Sequence, residues 1–179
     1  MQVASEELKS IILQAKSGDQ EAYATLVKRY KGHVYRHALG MLGDRMDAED
    51  AAQEAFIKAF YSLSSLDSAY AFSSWILRIT SNLCKDRLKK RAKALEQELK
   101  EGHNEDIADP HMPDALEKVS LADGLGRISA DHREVLLLHE VQGYSYEEIA
   151  AILEVPIGTV KSRLFAARIN LRNELRRED

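Results

Sequence analysis

The stretch YSYEEIAAILEVPIGTVKSRLFAARINLRNEL, residues 144–175, constrains the fold more than any other part of the chain. It reads as a helix, a tight turn and a longer second helix. Ser145 stands where an N-cap belongs, and Glu148 follows three residues later, the spacing of a capping box. Ile149, Ala150 and Leu153 give the first helix an apolar face. Val155 and Pro156 end it, because proline lacks the amide hydrogen and biases its predecessor away from helical angles. A second helix restarts near Gly158.

At about 100° per residue, Val160, Leu164, Ala167 and Leu171 fall within one narrow arc, which must pack inward. Lys161, Phe165, Arg168 and Arg172 form a stripe beside that arc, and Ser162 and Ala166 lie nearly opposite it. A helix whose outermost residues are small and whose flanks are cationic can enter a DNA major groove. Residues near its N-terminus then reach base edges, and the flanking cations hold phosphates. A helical hairpin with a solvated basic face is the plainer reading. Turn, cap, apolar arc and basic stripe agree better with a helix-turn-helix that binds DNA.

A net charge of −4 argues against a nucleic-acid partner until its distribution is considered. Residues 1–91 carry net +3, residues 92–117 net −6 and residues 118–179 net −1. Basic residues concentrate in 85–93 and 161–177, and local patches matter more than the total over a screening length of roughly 10 Å. Few Pro and Gly among many Ala, Leu, Glu, Lys and Arg indicate an all-α protein. The chain shows no bilayer-length apolar run and no signal-peptide pattern, so it is expected in the cytoplasm. Cys84 is the only cysteine, which excludes an internal disulfide and a cysteine-based metal site.

Periodicity predicts helices over 5–16 and 21–42, separated by Gly18 and Asp19, with Gly43 as a C-terminal stop. His33 and His37 stand one turn apart on the second of these but lack a third ligand, so no metal is expected. A third helix runs from Asp47 to about Leu63 with Ala52, Phe56, Ala59 and Phe60 inward. Its other side presents Asp50, Gln53, Glu54 and Ile57, either a contact surface or a solvated face. A loop at 64–71 leads to a helix over 72–91 with a core stripe of Phe72, Ile76, Ile79 and Leu83. Across from that core lie Arg78, Asn82, Lys85 and Lys89, with Trp75 on the shoulder. Cations, an aromatic ring and an amide on one surface suit single-stranded DNA, although Trp75 as core and solvated lysines fit the same pattern. Residues 92–112 are polar and acidic and break at Pro110, the composition of a linker between two helical units, 1–91 and 113–179. Helices over 114–128 and 131–142 complete the second unit; His132 and His139 there are structural or solvated. Glycine-rich phosphate loops, nucleophile motifs and paired metal-ligand spacings are missing, so an enzyme is not expected and no cofactor is implied.

Three segments together, DAEDAAQEAFIKAF, FSSWILRITSNLCKDRLKKR and YSYEEIAAILEVPIGTVKSRLFAAR, resemble bacterial RNA polymerase sigma factors of the extracytoplasmic-function group of the sigma-70 family, in that family's order and spacing. The resemblance implies region 2 over 1–91 and region 4 over 113–179, joined by the acidic linker. It implies that Asp50, Gln53, Glu54 and Ile57 meet the clamp coiled coil of the largest subunit of core RNA polymerase, and that region 4 meets the polymerase flap. It implies that the 64–71 loop and the helix bearing Trp75, Arg78, Asn82, Lys85, Asp86 and Lys89 open and read the promoter −10 element. Asn82 and Asp86 match positions near a flipped base, Asp86 standing where some members carry Asn. Lys161, Ser162 and Phe165 match positions that reach the −35 element, with Thr159, Arg163 and Arg168 as backbone or packing contacts; Ala166 stands where some members are basic. An anti-sigma factor is implied as a further partner, with no membrane insertion by the chain itself. The competing expectation is a stand-alone helix-turn-helix regulator that works on duplex DNA without polymerase.

Overall fold

The computed structural model describes residues 2–68, 71–100 and 120–176, with side chains from Glu6 onward. Within them the chain is built from helices: α1 (Gln2–Lys16), α2 (Gln20–Leu42), α3 (Arg45–Ser62), a short 3-10 turn (Leu63–Ser65), α4 (Phe72–Lys100), α5 (Leu121–Arg127), α6 (Ala130–Leu136), α7 (Tyr146–Leu153) and α8 (Ile157–Leu175). Among the described residues there is no strand. The acidic segment beyond Lys100 and the first part of the helix expected over 114–128 lie outside the described residues.

Local chemistry sets the helix ends. The Asp19 carboxylate accepts the amides of Glu21 and Ala22 and starts α2. Gly43 closes α2 at φ 72°, a left-handed angle that glycine adopts without a Cβ penalty, and donates its N–H to the Leu39 carbonyl at 2.8 Å. Asp44, rather than Asp47, caps α3 by accepting the Asp47 amide at 2.9 Å, so this helix begins two residues before its expected start. α4 runs nine residues past Arg91, through AKALEQELK, because nothing in that run breaks a helix before Gly102.

The helices bury two cores and a seam that joins them. In the first, Ile12 of α1, Leu26 and Val34 of α2, Ala55 and Phe56 of α3 and Phe72, Ile76 and Leu83 of α4 pack together. In the second, Val135 and Leu138 meet Ile149 and Ile152 of α7 and Val160, Leu164 and Ala167 of α8. The seam holds Ala38, Met41 and Leu42 of α2, Ala48 and Ala51 of α3, Cys84 of α4 and Leu137. Three consecutive leucines, 136–138, are all buried, a pattern no single helix face can produce. The chain satisfies it by continuing α6 as a π-helical turn over Leu137–Val141, which sits between the two cores. Leu136 and Leu138 enter the second core while Leu137 enters the seam. The helix expected over 131–142 is therefore a short α-helix followed by this wider turn.

Candidate nucleic-acid interface

α7 and α8 form the expected helix-turn-helix. Ser145 and Glu148 cap α7 reciprocally, with the Ser145 amide donating to Glu148 Oε2 at 2.8 Å and the Glu148 amide donating to Ser145 Oγ at 3.2 Å. Glu154 makes the turn in left-handed geometry at φ 54°, the one non-glycine residue among those described to do so. That angle disfavours a residue with a Cβ, and the packing of α7 against α8 holds it. On α8, Val160, Leu164 and Ala167 are buried, while Lys161, Ser162, Phe165 and Arg168 are exposed and Thr159 and Arg163 half-buried. Phe165 is 69% exposed, a large ring held in water beside Lys161 and Ser162. The arc and stripe predicted from spacing are thus both present on α8.

α4 divides its polar residues between two environments. Asn82 and Asp86 are exposed and line an open cleft of about 450 Å³ with Ile57 and Tyr61 of α3 and Ile79. A second cleft of about 290 Å³ lies between Asp67, Ser74, Trp75, Arg78 and Ala151 of α7. Trp75 is half-buried, its ring 5.9 Å from that of Phe72, so it serves the core and edges a cleft at once. Arg78 is ion-paired to Glu154. Lys85 pairs with Glu134 at 2.6 Å and with Asp131 at 3.2 Å. Burial works against the charge on Lys85, but its hydrogen bonds to those two carboxylates outweigh that and hold its pKa above the ordinary lysine value. Lys89 faces solvent. The four residues read as one stripe therefore part: Arg78 and Lys85 turn to α6 and α7, while Asn82 opens onto the α3–α4 cleft.

On α3, Asp50, Gln53 and Ile57 are exposed. Glu54 is half-buried and hydrogen-bonded to Arg87 of α4 at 3.0 Å, a bond that lowers its carboxyl pKa. Neither this pairing nor the Asp47–Arg91 ion pair beside it was legible from periodicity. The π-turn and its neighbours carry the other residues that spacing missed. His33 stands in solvent while His37 is fully enclosed, so the two histidines do not form a pair. His37 Nε2 is hydrogen-bonded to Ser81 Oγ at 2.8 Å, and Gln142 Nε2 lies 3.0 Å from His37 Nδ1. Burial, with Lys85 nearby adding repulsion, pushes the His37 imidazole down to about 4. Arg133 is buried; its guanidinium donates to the carbonyls of Met41 on α2, of Gly126 at 2.8 Å and of Ile128. Among the described residues no cluster of His, Cys, Asp and Glu is arranged to hold a metal, and no helix is long and apolar enough to cross a membrane.

Comparison with known proteins matches the family model for sigma-70 region 2 to residues 26–94 and that for sigma-70 region 4 to residues 118–171. The ECF RNA polymerase sigma factor SigW of Bacillus subtilis is 36% identical, covering 94% of this chain and 97% of that protein. The ECF RNA polymerase sigma-E factor of Escherichia coli is 35% identical, covering 96% of each. Among solved structures, the sigma factor RpoE in complex with the anti-sigma factor NepR from Bartonella quintana superposes with a TM-score of 0.67 at 26% identity, over 86% of this chain and 96% of that one.

Proposed function

This chain belongs to the extracytoplasmic-function group of the sigma-70 family, and on that premise we propose how its two halves divide the work of starting transcription. The chain binds core RNA polymerase and directs it to promoters. Asp50, Gln53, Glu54 and Ile57 on α3 form the polymerase contact, an acidic patch around one exposed apolar side chain. The region 4 unit rests on the polymerase flap and lays α8 in the −35 major groove, with Lys161, Ser162 and Phe165 at base edges and Thr159, Arg163 and Arg168 at the backbone. Units 1–91 and 113–179 are the two readers; the segment 92–112 between them starts as helix, since α4 runs to Lys100.

The observation that carries this reading is the open α3–α4 cleft with Asn82 and Asp86 on its wall and Tyr61 and Ile79 at its sides. Its volume of about 450 Å³ suits a single base lifted out of a stack, with apolar sides for the ring and an amide and carboxylate for its edge. Trp75, Arg78, Lys85 and Lys89 on the same helix supply a stacking ring and cations for the separated strand. A stand-alone regulator of duplex DNA has no need of such a cleft. Polymerase holds the two readers at a set distance, so two weak sites act with the effective concentration of a linked pair. Polymerase supplies the chemistry; the chain catalyses no reaction and works in the cytoplasm. An anti-sigma factor, the kind of partner present in the Bartonella complex, holds the chain when transcription is not required.

Asn82→Ala tests the cleft. Permanganate footprinting of open complexes made with core polymerase reads melting directly. The expected result is normal polymerase binding with melting reduced about tenfold or more; melting at the wild-type level removes Asn82 from the strand-holding site.

A further inference from the structure

Glu140 leaves the π-turn toward α8, although helical spacing would bury it. At about 100° per residue an unbroken α-helix would set Glu140 in the arc between Leu136 and Leu137, both of which are buried. The wider turn over Leu137–Val141 takes it out of that arc, and Glu140 is exposed. There it meets Arg168 of α8. Arg168 Nε donates to Glu140 Oε1 at 2.9 Å, and Nη2 donates to the same oxygen at 2.6 Å. Tyr146 of α7 adds a further hydrogen bond to the guanidinium. The Tyr146 ring lies 5.0 Å from that of His139 in the π-turn, whose Nδ1 lies 3.0 Å from the Tyr144 carbonyl.

Fold stability gives little reason for this tie. The side chains of Arg168 and Glu140 are 47% and 48% exposed, and an ion pair in water adds little to a fold. Its place on α8 gives a better one. Arg168 continues the stripe of Lys161 and Phe165, roughly 10 Å along the helix from Lys161. A recognition helix whose first turns reach base edges brings its later turns to the phosphate backbone. An untethered arginine there is long and flexible, and finds a phosphate in many registers of any duplex. Held by two donors on one oxygen, the fork points one way and meets a phosphate only where α8 is seated correctly. A guanidinium has more donors than one carboxylate oxygen uses, so the held group still offers N–H to a phosphate. The Glu140 charge also offsets that of Arg168, which lowers attraction to all duplexes alike.

We propose that Glu140 is a positioning residue for −35 recognition: it fixes the Arg168 guanidinium in one orientation, so that this cation favours a promoter over other duplex. The proposal rests on the reading that Arg168 meets the −35 backbone, and goes beyond it in naming the group that makes that contact selective.

The test uses holoenzyme made from the full chain and core polymerase. It is titrated against a promoter fragment it selects and against the same fragment with the −35 element scrambled. Fluorescence anisotropy gives both affinities, and their ratio is the discrimination. Glu140→Ala should lower the ratio about tenfold or more, chiefly through tighter binding of the scrambled fragment, with Tm unchanged. Glu140→Gln keeps the length and an acceptor oxygen but not the charge, and should lower it less. Glu147→Ala removes an exposed carboxylate of α7 and should leave the ratio unchanged. Arg168→Ala should weaken promoter binding and lower the salt slope by about 1, and adding Glu140→Ala to it should change nothing further. The proposal is overturned if Glu140→Ala keeps the wild-type ratio, if it lowers the ratio as much when Arg168 is already alanine, or if Glu147→Ala lowers it equally. Should Glu140→Ala fail to fold, Glu140→Gln decides, and an unchanged ratio there overturns the proposal too. Arg168→Ala holoenzyme with wild-type promoter affinity and salt slope instead refutes the backbone-contact reading, a failure seen without any change at Glu140.

Discussion

Between pH 7.5 and 5.0 the folded chain should lose about 2 kcal/mol through one side chain, His37. The imidazole is wholly buried between Ser81 of α4 and Gln142 of the π-turn, and burial first, then Lys85, pushes its pKa down to about 4. Lys85, whose charge opposes protonation of the imidazole, is ion-paired to Glu134 at 2.6 Å. A solvated histidine titrates near 6.5. The folded state therefore excludes a proton that the unfolded chain accepts. Stability from His37 is complete above pH 6.5 and drains away as pH falls from 6.5 toward 4. At about 1.4 kcal/mol per pH unit across that gap, the loss by pH 5.0 is about 2 kcal/mol. For a chain of this size that lowers Tm by roughly 4–8 °C. The carboxylates of Glu54 and Asp131 are shifted downward, so their contributions are retained at pH 5.0 and do not blur the window. Thermal melts of wild type and His37→Gln in matched buffers provide the assay. His37→Gln should start less stable at pH 7.5 and lose several degrees less on acidification. Equal slopes for the two proteins would refute the buried neutral imidazole.

Three further substitutions probe the rest of the molecule. Ser145→Ala removes the oxygen that accepts the Glu148 amide and should destabilise the chain by about 1 kcal/mol in urea melts; no change would mean the capping box contributes nothing. Leu164→Ala opens a cavity where α8 meets α7, the side chain being 1% exposed, and should cost about 2–5 kcal/mol with loss of −35-dependent transcription; a cost under 1 kcal/mol would contradict that packing. Lys161→Ala should weaken binding of holoenzyme to duplex −35 DNA by about 1–3 kcal/mol and relax its preference at one position of that element, and an unchanged preference would take Lys161 off the base edges.

Much of this architecture could be read from residue spacing, for identifiable reasons. α7 and α8 obey local rules: a reciprocal cap, a proline stop and an apolar arc with helical period, each complete within a few residues. The cation stripe of α4 was legible as a stripe. Its division was not, because the carboxylates that take Arg78 and Lys85 come from α6 and α7, far along the chain. The seam was hidden for a related reason. Leu136, Leu137 and Leu138 satisfy two cores at once, and helical periodicity assumes one buried face. Spacing set His37 one turn from His33 without giving it a role, because spacing along α2 cannot register Ser81 or Gln142 on other elements. Arg133 carried no signal at all: an arginine in an amphipathic helix reads as surface until the carbonyls of Met41, Gly126 and Ile128 are brought around it.

The central claim is that this chain, added to core polymerase, gives that enzyme start sites it does not otherwise use. Run-off transcription on a library of genomic fragments, with 5′ ends mapped with and without the purified chain, measures this directly. The account predicts discrete new 5′ ends that share paired upstream sequences at a constant separation. New ends without a constant separation, or none at all from a folded chain bound to polymerase, would contradict it.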